Sequence, residues 1–179
     1  MRGVVDREKL LGFLREVGQE ARADSTIYLT GGGSALLFGW RATTIDVDVK
    51  LEPDSGEILR ALPALKERYG INIELAAPDD FIPPLPGWRD RSPFIERYGR
   101  VTFRHYDFYS QALSKLERGH GRDLADVESM ISSRVVDTQK LLALFDAIEP
   151  ELYRYPAINP AVFRRSVEDF IGRTRPATG

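Results

Sequence analysis

An α+β fold is predicted for this chain: a small mixed sheet flanked by helices, with a C-terminal helical part. Three features predict it. Runs at 45–51, 71–75, 94–98 and 101–105 are strand-like, several of them alternating apolar with polar residues, the period of half-buried strands. Stretches with apolar residues at helical spacing separate the first of these runs. From residue 107 onward the helical period takes over. The 179 residues suit one domain, or one domain with a helical appendage. The expected division is 1–106 as the core and 107–179 as a helical part packed on it.

Taken in order, Asp6 is placed to cap a first helix whose Leu10, Phe13, Leu14 and Val17 fall on one face. A short apolar run at 27–29 reads as a strand, and Thr30-Gly31-Gly32-Gly33-Ser34 as a tight glycine turn. A short helix is then expected from Ser34 to about Phe38. After the strand at 45–51, Pro53-Asp54-Ser55 opens a helix with Ile58, Leu59, Leu62 and Leu65 as its buried stripe. Pro63 inside it is expected to kink or split it. In the strand at 71–75, Ile71, Ile73 and Leu75 form the apolar face. Prolines at 78, 83, 84, 86 and 93 make the next stretch a loop. The runs 94–98 and 101–105 form a hairpin turning at Gly99-Arg100. Helices follow from Asp107 to about Arg118, from near Asp123, from the cap Asp137 with Leu141, Leu144, Phe145 and Ile148 buried, and from Asn159-Pro160. A tail of low order is expected over 173–179.

Composition excludes several classes. The absence of cysteine rules out disulfides and thiolate metal sites. No apolar run reaches the roughly 20 residues that a membrane span needs. Residues 1–19 mix charged with apolar residues and lack the apolar stretch of a secretory signal, so a cytoplasmic location is expected. The net charge of −2 offers no global attraction to nucleic acid, though it leaves room for a local basic patch. His105 and His120 are the only histidines and have no ligand partner at metal spacing, which gives zinc or Ser–His–Asp chemistry little support.

Two motifs carry chemistry. In Ile45-Asp46-Val47-Asp48-Val49 the strand period puts Asp46 and Asp48 on one face. Two carboxylates side by side repel, and a hard cation such as Mg²⁺ or Mn²⁺ between them relieves the repulsion. The solvated face of an edge strand is the simpler account of Asp-x-Asp when it stands alone. Gly32-Gly33-Ser34, between a strand and a helix, allows the backbone to approach a phosphate and presents unpaired helix N–H groups to it. Ser34 either caps that helix or binds a phosphate oxygen. An ordinary tight turn is the simpler account of this motif taken alone.

Twelve residues separate Gly33 from Asp46. A glycine turn, a short helix and then Asp-x-Asp on the next strand resemble the signature of the DNA polymerase β-like nucleotidyltransferases. Lys115-Leu116-Glu117-Arg118 and Arg122-Asp123-Leu124-Ala125-Asp126 sharpen this. With residues 32–48 they look like the motifs of the minimal nucleotidyltransferases of the AbiEii/MenT-like branch, whose members are toxins of toxin–antitoxin and phage-defence systems. The likeness covers about two thirds of the chain.

The resemblance implies the nucleotidyltransferase fold and the transfer of a nucleoside monophosphate from an NTP to an acceptor hydroxyl, on tRNA or a protein. It implies two Mg²⁺ (or Mn²⁺) ions held by Asp46 and Asp48. Glu74, polar in Asn72-Ile73-Glu74-Leu75, would be the third metal-holding carboxylate, sharing one of the ions, and the general base, although the superfamily more often has Asp there. Lys115 and Arg122, assisted by Arg118, would bind the triphosphate, with Asp126 orienting one of these cations. Asp123 would either join them or cap the next helix. Arg41 and Thr44 stand where the branch often has Arg and Thr, so each would contact phosphate, or Thr44 would be a plain strand residue. A cognate antitoxin is an implied partner, and no membrane is involved. The rival reading is a nucleotide-binding regulatory module of the same fold that transfers nothing.

Overall fold

Asp6 accepts a hydrogen bond from the Lys9 amide and opens α1, Arg7–Glu20, in the computed structural model, which describes residues 3–174. Leu10, Phe13, Leu14 and Val17 of this helix are all buried. β1 (Ser25–Thr30) then runs directly into α2 (Gly31–Phe38). The sequence predicts a glycine turn followed by a helix from Ser34, but here the glycines themselves are the first turn of the helix. Gly31, at φ 59°, makes the change of direction in one residue, so no separate loop is needed.

Ser55 accepts from the Ile58 amide and caps α3 (Gly56–Tyr69). Pro63 neither splits nor ends α3. The ring lies on the exposed side of the helix, so its cost is confined to the local main chain. The remaining strands are β2 (Asp46–Glu52), β3 (Asn72–Leu75), β4 (Phe94–Tyr98) and β5 (Val101–His105). The sheet order is β3-β2-β1-β5-β4. β1 pairs antiparallel with β2 and parallel with β5, β2 pairs parallel with β3, and β4 with β5 forms the expected hairpin, turning at Gly99.

The chain forms two compact units. The first takes the chain up to Ala77 together with Ser92–Tyr106; the second takes Pro78–Arg91 and the chain from Asp107 onward. In the first, one face of the sheet (Ile27, Leu29, Val47, Val49, Leu51, Ile73, Val101, Phe103) is buried in one core with α1, α3 and Leu36 and Leu37 of α2. Leu75, expected on this face, is 59% exposed, because β3 is an edge strand and Leu75 ends it.

In the second unit Asp107 caps α4 (Phe108–Arg118), accepting from the amides of Tyr109 and Ser110. α4 meets α5 (Gly121–Ser132), α6 (Thr138–Ile148) and α7 (Pro160–Thr174). α5 starts two residues before the expected Asp123, with His120 as its cap residue, since Gly119 in the left-handed region ends α4 at once. Asp137 caps α6 as expected, and Leu144 is only half-buried there. Asn159 caps α7 through the Val162 amide, and α7 continues through residues 173 and 174, so the expected tail does not begin at 173; its remainder, 175–179, lies outside the described residues. The proline-rich loop holds a 3-10 turn at Pro78–Asp80 and buries Ile82, Leu85 and Trp88. Arg91 fastens it to α4 with a two-pronged pair to Asp107.

Candidate functional site

The face of the sheet opposite the core is polar. Along β2 the exposure alternates, with Val47, Val49 and Leu51 buried and Asp46, Asp48, Lys50 and Glu52 half-buried on the other side. Strand register extends this into rows. Glu74 of β3, Asp48 of β2 and Thr30 of β1 stand in one row; Lys50, Tyr28 and Arg104 of β5 stand in the next.

The glycines of α2 fit tightly against this strand. A Cβ on Gly31 would stand 3.0 Å from Asp48 Oδ2, and one on Gly33 would stand 2.8 Å from Val47 Cγ1. At Gly32 a Cβ would overlap Thr44 Oγ1 and lie 3.3 Å from an Arg41 guanidinium nitrogen. Asp48, Arg41, Thr44 and the first turn of α2 therefore share one corner. Thr44 also donates to the Asp46 carbonyl at 3.0 Å.

Ser34 departs from both expectations. It lies inside α2, fully buried, so it is neither the cap nor open to a phosphate; its Oγ shares a 2.8 Å hydrogen bond with His105 Nδ1. Burial, aided by the nearby Arg7 charge, pushes the His105 pKa down to about 4.

Glu74 lies on the same face as the aspartates, in register with Asp48. Asn72, in register with Asp46, links them: its Nδ2 donates to Asp46 Oδ1 at 2.7 Å and to Glu74 Oε1 at 3.0 Å. Among the described residues, no three of His, Cys, Asp or Glu converge at metal-binding distance.

In the second unit, Lys115 is 4% exposed, not solvated. Its Nζ contacts Asp126 Oδ2 at 2.8 Å and Asp123 Oδ1 at 3.4 Å, and Arg118 reaches Asp123 Oδ1 at 2.9 Å. Asp126 thus orients Lys115, and Asp123 bridges the two cations instead of capping α5. Arg122 is exposed.

Three residues escape a reading by sequence. Lys50 carries a usable signal, since it continues the same two-residue alternation as Asp46 and Asp48. Arg104 has none, because its place in the row of Lys50, across Tyr28, depends on the pairing of β1 with β5. Asn72 stands in the strand motif, but nothing local marks it as the bridge between two carboxylates.

No curated protein and no solved structure matches the chain. Residues 8–173 match the model of a family described as nucleotidyltransferase of unknown function (DUF6036). The span covers nearly all of both units and contains every residue of the polar corner, and the chain belongs to this nucleotidyltransferase family.

Proposed function

We propose that the chain transfers a nucleoside monophosphate from an NTP to an acceptor hydroxyl at the corner formed by β2 and the start of α2. The observation that carries this reading is Asp48: its carboxylate lies against Gly31, where the first-turn amides of α2 begin, with Asp46 two residues away on the same face. Amides that suit phosphate and carboxylates that suit a divalent cation are thereby adjacent.

The donor set fits Mg²⁺ or Mn²⁺. Both are hard cations that take oxygen ligands, and Mg²⁺ is commonly held by one or two carboxylates, with waters and substrate phosphates completing the shell. Asp46 and Asp48 would hold the ions, two of them in this proposal, with Glu74 sharing one. When bound, they would neutralise phosphate charge and make the acceptor hydroxyl easier to deprotonate. Glu74 would accept that proton. Arg41 and the α2 amides would hold the triphosphate, and Thr44 would brace the first turn of α2. Lys50, one row along β2 at about 7 Å from Asp48, and Arg104, two strands over in that same row, would offset charge on the departing pyrophosphate. Arg118 and Arg122 keep the phosphate-binding role that the resemblance implies. Lys115, enclosed by two aspartates, would act through them. The acceptor is proposed to be tRNA or a protein, and the setting a cytoplasmic toxin of the AbiEii/MenT-like kind with a cognate antitoxin.

A glutamate at 74, where the superfamily more often has aspartate, with one of its oxygens accepting from Asn72, favours a second reading, a nucleotide-binding module without transfer. Incubation with each labelled NTP, Mg²⁺ and either total RNA or protein extract separates the two. Transfer of label by the wild type and its loss in Asp46→Ala/Asp48→Ala is the expected result, and the labelled fraction identifies the acceptor. NTP binding with no transfer to any acceptor would establish the module instead.

A further inference from the structure

We infer that Asn72 is a positioning residue for the carboxylates, a neutral bridge that holds Asp46 and Glu74 in place for a divalent cation. The inference rests on the metal site proposed above. One amide nitrogen has two hydrogens, and here each goes to a different carboxylate, at 2.7 Å to Asp46 and 3.0 Å to Glu74. The parallel pairing of β2 with β3 sets Asn72 directly opposite Asp46, so the bridge follows from the strand register and not from a flexible loop.

The residue type matters. Three carboxylates on adjacent strands repel one another, and each must be steered by a partner. A lysine or arginine at position 72 would supply the steering but would also neutralise the site and compete with the cation. An aspartate would add to the repulsion. An amide offsets part of the repulsion through its dipole and leaves the negative charge intact. It also directs one Asp46 oxygen toward itself and leaves the other available. Outer partners of metal ligands commonly change metal affinity by about 10–100-fold when removed.

The test is calorimetric titration of Mn²⁺ into the wild type, Asn72→Ala and Asn72→Lys, with thermal melting of each in EDTA. Asn72→Ala is expected to bind Mn²⁺ about 10–100-fold more weakly while melting in EDTA close to the wild type, because the two bonds it loses start from a half-exposed residue of an edge strand. Asn72→Lys is expected to abolish Mn²⁺ binding without lowering the melting temperature, since its ammonium takes the place of the cation. Wild-type affinity in Asn72→Ala, or an affinity loss matched by a fall in melting temperature in EDTA, would overturn the inference and leave the proposed site standing. A wild type that binds no Mn²⁺ would overturn both.

Discussion

At the scale of single residues, burial changes what each charge does. Lys115 is enclosed with Asp123 and Asp126, so removing its ammonium leaves two carboxylates without their counter-charge. Lys115→Ala is therefore expected to destabilise the protein by about 3–5 kcal/mol in urea unfolding, where an exposed lysine would cost under about 1 kcal/mol. Glu74 can be tested without that complication. In Glu74→Gln the amide oxygen can still accept from Asn72, while charge and basicity are lost. Nucleotide transfer should fall to near background in a labelled-NTP assay with NTP affinity unchanged. Full activity would move the base to Glu52, on the same strand face; Asp107 is committed to Arg91 and to capping α4. His105 is neutral at pH 7, with a folded pKa of about 4 against 6.5 for the free side chain. The unfolded chain therefore binds the proton first, and stability should fall as pH drops from about 6.5 toward 4, by roughly 3 kcal/mol at most. Urea unfolding across this range should show that slope in the wild type and a flatter one in His105→Gln.

At the scale of elements, the junction of β1 with α2 decides the site. Thr30 ends the strand, Gly31 turns, and Gly32 and Gly33, lacking side chains, let the helix lie close against Thr44 and Val47. Any Cβ at 33 would press on Val47, which is wholly buried in the core. Gly33→Ala is expected to cost about 1–3 kcal/mol by overpacking. It should also displace the α2 amides from Asp48. Unfolding measurements read the first effect. NTP affinity, measured under conditions where the variant is folded, reads the second, and an affinity equal to the wild type would separate the glycines from phosphate binding.

At the scale of the whole molecule, ligand binding should appear as stability. Mn²⁺ with NTP at about 100 times Kd is expected to stabilise the protein by about 2.7 kcal/mol, seen as a higher melting temperature. The shift should vanish in Asp46→Ala/Asp48→Ala, and its persistence there would place the nucleotide elsewhere. Sequence alone determined the features that depend on near neighbours. The caps at Asp6, Asp137 and Asn159, the helix opening at Pro53-Asp54-Ser55, the hairpin at Gly99 and the shared face of Asp46 and Asp48 each follow from a local period or a capping side chain. Tertiary structure alone decided the rest. Asn72 meets Asp46 across 26 residues of chain, and Ser34 meets His105 across 71. Lys50 and Arg104 share a row only because β1 pairs with β2 on one side and with β5 on the other. Such meetings are set by register and by packing against a common core, which have no counterpart in the pattern of neighbouring residues.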